Sequence, residues 1–123
     1  MSPMKMMSMN PDYKAKYLTL DWDNISIDEA HKRCDNILEM FSNIRRLVLS
    51  LSPTKGFHVR VYCYSNTNVA MMRRTLKDDG RRLVHDLLNR PGDIHDILWD
   101  RKIVSGITWE AQKIKTYDRL SRV

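Results

Sequence analysis

Cysteine is scarce in this chain: Cys34 and Cys63 are the only two in 123 residues, and neither lies in a Cys-x-x-Cys or Cys/His cluster. A structural zinc site takes four ligands at short spacings, so the sequence argues against a zinc module. Each cysteine falls inside an apolar pattern, which predicts a small buried residue. No apolar run approaches the ~18 to 20 residues that cross a bilayer, and the Met-rich start, Met1 to Met9, lacks the continuous apolar core of a signal peptide. The expectation is a cytoplasmic protein with a mobile tail over residues 1–14. There is no internal repeat, linker or low-complexity segment. Acidic residues are the minority, 15 against 21 Lys and Arg, for a net charge of +6 and a pI near 9.5. Such an excess suits a polyanionic partner, whether nucleic acid, nucleotide or acidic membrane, and does not choose among them.

What is present is the composition of one folded domain, expected over residues 15–123. Hydrophobic residues make up 42% and charged residues 29%, the balance of a soluble globular protein with a single core. Apolar alternation predicts a first strand from about Ala15 to Trp22. Ser26-Ile27-Asp28-Glu29 has the form of a capping box, and Ala30, Cys34, Ile37, Leu38 and Phe41 then make one helical stripe, predicted to cover a sheet. Arg46 to Leu51 reads as a short buried strand, Ser52-Pro53-Thr54-Lys55-Gly56 as a turn, and Phe57 to Tyr64 as the second arm of a hairpin. In that arm Phe57, Val59, Val61 and Cys63 face one way, and His58, Arg60, Tyr62 and Tyr64 the other. Asn66 to Lys77 turns helical, with Val69, Met72 and Leu76 available to pack and Arg73 and Arg74 left polar.

Arg81 to Asp86 fits either a helix or a short strand, Asn89 to Asp93 a turn, and Ile94 to Trp99 a strand. Thr108 is placed to cap a last helix through about Leu120, with Lys113, Lys115 and Arg119 towards its end, where cations suit the helix dipole. The fold class expected is α+β, a mainly antiparallel sheet covered by helices.

Two stretches carry chemistry. Leu18-Thr19-Leu20-Asp21-Trp22-Asp23 puts Leu18, Leu20 and Trp22 on one strand face and Thr19, Asp21 and Asp23 on the other. Two carboxylates on one face repel unless a cation sits between them, and oxygen donors suit hard cations such as Mg²⁺ or Mn²⁺. The alternative is that Asp-Trp-Asp-Asn is a polar turn that closes the strand. Downstream, Lys55-Gly56-Phe57-His58-Val59-Arg60 delivers a Lys and a Gly from a loop, then a His and an Arg from one strand face. Glycine lets backbone approach a phosphate, while Lys and Arg offset its charge.

Together, in this order, the Asp-x-Asp at the end of a hydrophobic strand and the Gly56-Phe57-His58 of a later strand resemble the archaeo-eukaryotic primase and primase-polymerase superfamily. The resemblance spans roughly Leu18 to Lys102. It implies a primase-polymerase-like, RRM-like core and template-directed nucleotidyl transfer, as primer synthesis or extension on single-stranded DNA. It also implies nucleoside triphosphates as substrates and Mg²⁺ or Mn²⁺ as cofactor. Asp21 and Asp23 would be catalytic metal ligands, completed by a third acid after a hydrophobic residue. Two residues compete for that place: Asp86, favoured because Asp78-Asp79-Gly80-Arg81-Arg82 precedes it, and Asp100, which follows Ile97-Leu98-Trp99. Lys55, Gly56, His58 and Arg60 would bind the nucleotide, and Arg73, Arg74, Arg81 and Arg82 the template backbone.

Catalytic chains of this family usually carry further modules, so a helicase or another replication subunit is an expected partner. A catalytically inactive nucleic-acid-binding accessory subunit is the alternative function, and a metal-dependent nuclease a third.

Overall fold

The computed structural model describes residues 11–53, 56–80, 101–104 and 106–119. Its elements run β1 (Lys14–Trp22), α1 (Ile27–Met40), β2 (Ile44–Leu51), β3 (Phe57–Asn68), α2 (Val69–Thr75), β4 (Arg101–Val104), β5 (Ile107–Glu110) and β6 (Gln112–Asp118). This is an α+β fold. Four strands form one antiparallel sheet in the order β1-β3-β2-β6, and β4 and β5 form a separate two-stranded ribbon. No helix among the described residues is long and apolar enough to cross a membrane.

Alternation decides which face is core. Leu18, Leu20 and Trp22 of β1 register with Val61, Val59 and Phe57 of β3, and Leu47 and Leu49 of β2 continue the rows. All are buried, and α1 closes over them with Ala30, Cys34, Ile37 and Leu38. Ser26 starts α1 by accepting a hydrogen bond from the Glu29 backbone N–H, while the Glu29 carboxylate turns along the helix to Arg33 at 3.1 Å.

The last turn of α1 contains no basic residue, and its exposed carbonyls are served from the other end of the sequence. Arg119 donates from Nη2 to the carbonyls of Leu38 and Phe41, at 2.6 and 2.8 Å, and from Nε to that of Ile44. These are charge-assisted bonds that tie the end of α1 to the start of β2; the Phe41 carbonyl also accepts from the Ile44 N–H.

β1, α1 and β2 form a split β-α-β unit, with β3 inserted antiparallel between the two parallel strands. A second such unit running from β3 through α2 would set its last strand beside β1. Among the described residues no strand pairs with the outer edge of β1, and β6 lies outside β2, with Tyr117 opposite Leu47. The helix expected from Thr108 to about Leu120 is therefore replaced by β5 and β6. The β-branched and aromatic residues Ile107, Thr108, Ile114, Thr116 and Tyr117 favour a pleated surface, and the unpaired edge of β2 supplies the partner. Tyr117 is buried and hydrogen-bonds His31 of α1, whereas Lys113 and Lys115 stay exposed on an edge strand, as suits an unpaired sheet margin.

Three boundaries also move. β1 starts at Lys14, inside the expected tail, and the backbone N–H of Val69 donates to the Tyr13 carbonyl. β3 runs on to Asn68, whose side chain accepts from the Met71 N–H and so starts α2 at Val69 rather than Asn66. β2 begins at Ile44. The segments expected at Arg81 to Asp86, Asn89 to Asp93 and Ile94 to Trp99 lie outside the described residues, as do residues 1–10 of the expected tail.

Both cysteines are buried free thiols. Burial pushes the Cys34 thiol up to about 12, with the neighbouring Asp35 charge adding to the shift and Lys115 opposing it. Cys63 is raised by burial too, against a hydrogen bond with Thr67. Because the thiolate is the reactive form, a disulfide-exchange reagent at pH 8.5 is expected to label neither cysteine in the folded protein and both in urea. Rapid labelling of Cys34 without denaturant would contradict this burial. The sign for stability follows: the protonated Cys34 favours the fold fully below the unfolded thiol value of ~8.5. That contribution declines as pH rises towards about 12.

Candidate metal centre

β1 delivers two acids at its end. Asp21 lies on the face opposite the helices, in register with His58 of β3, and Asp23 follows the last strand residue, Trp22. The backbone then turns through Asn24 at φ 60°, a left-handed conformation that Asn tolerates, before Ser26 opens α1.

A third acid comes from the exit of α2. The Arg73 and Asp78 side chains are 0% exposed and meet at 2.7 Å between Nε and Oδ2. The other carboxylate oxygen of Asp78 accepts from the Asp21 backbone N–H at 2.7 Å, and the Asp79 N–H donates to the Asp21 carbonyl at 3.0 Å. The segment after α2 is thus stitched along the outer edge of β1, with Trp22 Nε1 donating to the Leu76 carbonyl one step earlier. Asp79 lands beside the β1 acids, and one carboxylate oxygen from each of Asp21, Asp23 and Asp79 lies within 4.8 Å of the others. They line a cleft of about 270 Å³.

His58 is buried at 4% exposure, with Nε2 3.9 Å from Asp21 Oδ1. Gly56 supports the same corner at φ 93°, where a Cβ would stand 2.4 Å from Asp23 Oδ1 and 2.5 Å from the Trp22 carbonyl oxygen. Gly56→Ala is therefore expected to destabilise the fold by about 1–3 kcal/mol through backbone strain and collision, and to displace Asp23. A urea midpoint equal to that of the wild type would show that the loop does not press on Asp23.

Of the residues expected at a site, Asp21, Asp23 and His58 come together, with Gly56 against Asp23. Arg60 is one residue pair further along the same sheet face, opposite Thr19. Arg74 is exposed on the last turn of α2. Arg73 is a correction: its side chain is in the interior, paired with Asp78, and does not face a template backbone. Lys55, Arg81, Arg82, Asp86 and Asp100 lie outside the described residues.

Asp79 was not singled out by sequence reasoning. One signal could have found it: two adjacent acids just after a helix sit against the negative end of its dipole, an unfavourable place without a compensating cation or hydrogen bond.

Three carboxylates suit a hard divalent cation such as Mg²⁺ or Mn²⁺, which prefers oxygen ligands and would relieve their mutual repulsion. No protein-family model matches the chain, and no curated protein or solved structure shows significant similarity to it.

Proposed function

We propose that this chain carries a divalent-metal-dependent nucleotidyl transfer centre, acting as a primase-polymerase-type domain that adds nucleotides on a single-stranded DNA template. The observation that carries the reading is the meeting of Asp21, Asp23 and Asp79 within 4.8 Å, beside His58. In nucleotidyl transfer a 3′-hydroxyl bonds to the α-phosphorus of a nucleoside triphosphate as the bond to the β-phosphate breaks, releasing pyrophosphate and a proton, and a metal held by such acids would stabilise charge on the attacking and leaving oxygens. The three Asp residues would hold the cation. His58 stands beside the Asp21 carboxylate on the sheet face, 3.9 Å away, and Arg60, on the same face, would offer a guanidinium to a phosphate. A helicase or another replication subunit is the partner this reading calls for.

The test is incorporation of labelled nucleotides on single-stranded DNA with Mg²⁺ or Mn²⁺, comparing wild type with Asp21→Ala/Asp23→Ala. Product lost in the variant supports the reading. Equal single-strand binding by both proteins with no product from either would replace it with a non-catalytic accessory subunit. Strand cleavage without added nucleotide would replace it with a nuclease.

A further inference from the structure

β6 is held from one side only. Its inner edge pairs with β2, and among the described residues no strand pairs with its outer edge. Residues 112–116 are all exposed, and within the strand only Tyr117 is buried. Ile114 is left 37% exposed, as is Leu51, at 43%, where β2 meets Gln112. A strand with both faces wet and one row of backbone donors and acceptors unpaired is a template for another strand.

The side chains of β6 say which strand fits. Its register with β2 sets Lys115 and Tyr117 on the core face, opposite Leu49 and Leu47. It sets Lys113, Thr116 and Asp118 on the open face, opposite Ser50, Val48 and Arg46, and leaves Ile114 as the extra residue at the shift. Two copies of β6 can pair antiparallel about a two-fold axis, and the position of the axis decides which side chains meet. An axis at Lys115 brings that residue against its own copy, and an axis at Tyr117 brings Lys115 against Arg119; like charges directly opposite oppose pairing. An axis at Thr116 does neither.

That axis sets Thr116 against Thr116, a favourable cross-strand pair, and Lys115 against Tyr117. With the shift at Ile114 taken up, Lys113 then meets Asp118. Lys115 already lies 4.6 Å over the Tyr117 ring of its own strand, which shows that the two side chains are compatible. Asp118 is held on its face by Arg46 at 2.8 Å, and a carboxylate accepts more than one cation. The lysines that keep other strands from the edge therefore select one register for a second copy.

We propose that the chain forms a homodimer through β6, with the two four-stranded sheets joined edge to edge about a two-fold axis at Thr116. The same surface serves both copies, as a two-fold interface requires. Nothing in this inference draws on the metal centre.

The experiment is sedimentation velocity of the full chain over a range of concentrations, with cysteine cross-linking to fix the register. Two paired strands bury less than the ~1,200 Å² of standard complexes, so a weak dimer is expected, with a Kd of about 10–100 µM. The mass should rise from 14.6 kDa towards twice that value across this range. Thr116→Lys puts two ammonium groups face to face at the axis and should weaken association about tenfold or more. Its urea midpoint, measured on dilute protein, should match wild type because Thr116 is exposed. Under mild oxidation Thr116→Cys should give a covalent dimer, since opposed residues lie ~4.5–5.5 Å apart between Cα atoms. Gln112→Cys should not, because its two copies would stand about 25 Å apart. The native Cys34 and Cys63 are buried and take no part.

A chain that stays monomeric at the highest concentration overturns the proposal. So does association that Thr116→Lys leaves unchanged, which would put the contact on another surface. Cross-linking as fast at Gln112→Cys as at Thr116→Cys overturns the axis, and this comparison decides alone if Thr116→Lys lowers the urea midpoint.

Discussion

Arg73→Met is expected to destabilise the protein by about 3–5 kcal/mol, because removing one member of a buried ion pair strands the other charge. Both side chains are fully buried, so water cannot take over the role of the guanidinium. Against a typical total of ~5–15 kcal/mol for a domain, such a loss leaves little folded protein in mild denaturant. The paired variant Arg73→Met/Asp78→Leu should recover part of the loss, since a buried ion pair replaced by apolar residues is often tolerated. It should not recover all of it, because the Asp21 N–H then loses its acceptor, at about 1–3 kcal/mol. Urea midpoints of the two variants check the ordering, and a single variant within ~1 kcal/mol of wild type would mean that the pair is not holding the α2 exit. Mn²⁺ affinity should return with stability in the double variant, because the Asp79 N–H to Asp21 carbonyl bond and the Trp22 Nε1 to Leu76 carbonyl bond do not involve the exchanged side chains.

The second large effect is at the acids themselves. Asp21→Ala/Asp23→Ala removes two of the three proposed ligands, and Mn²⁺ affinity should fall by about a hundredfold or more, exceeding the ~10–100-fold cost of losing an outer-shell partner; nucleotide incorporation should fall to background. Asp79→Asn separates the third ligand from the competing Asp86. Without metal it should leave stability level or slightly raised, because one of three mutually repelling charges is gone. With Mn²⁺ it should lose at least tenfold in affinity. Asp86→Asn with the larger loss would move the third ligand to Asp86.

Much of the sheet was legible because a buried strand imposes a strict period of two. Leu18, Leu20 and Trp22 on one side, and the Phe57 to Cys63 alternation facing them, follow from that period alone. Ser26 was legible as a cap because its chemistry is local. Asp79 was not, since its approach to Asp21 depends on a buried ion pair and edge hydrogen bonds between segments 57 residues apart in sequence. Arg73 misled for the same reason: nothing within its own helix shows that Asp78 folds back to meet it. The Gln112 to Asp118 segment misled because Lys-rich sequence suits a helix end and a sheet edge equally well, and only the vacant side of β2 decides between them.

Arg119 has a temporal implication. During synthesis a chain emerges from its N-terminus, so α1 and β2 are exposed well before the guanidinium that binds the Leu38, Phe41 and Ile44 carbonyls. Until residue 119 clears the ribosome, the end of α1 must be served by water and the outer edge of β2 remains open to other nascent chains. Completion of the fold is thereby coupled to late translation rather than to the earlier appearance of the hairpin.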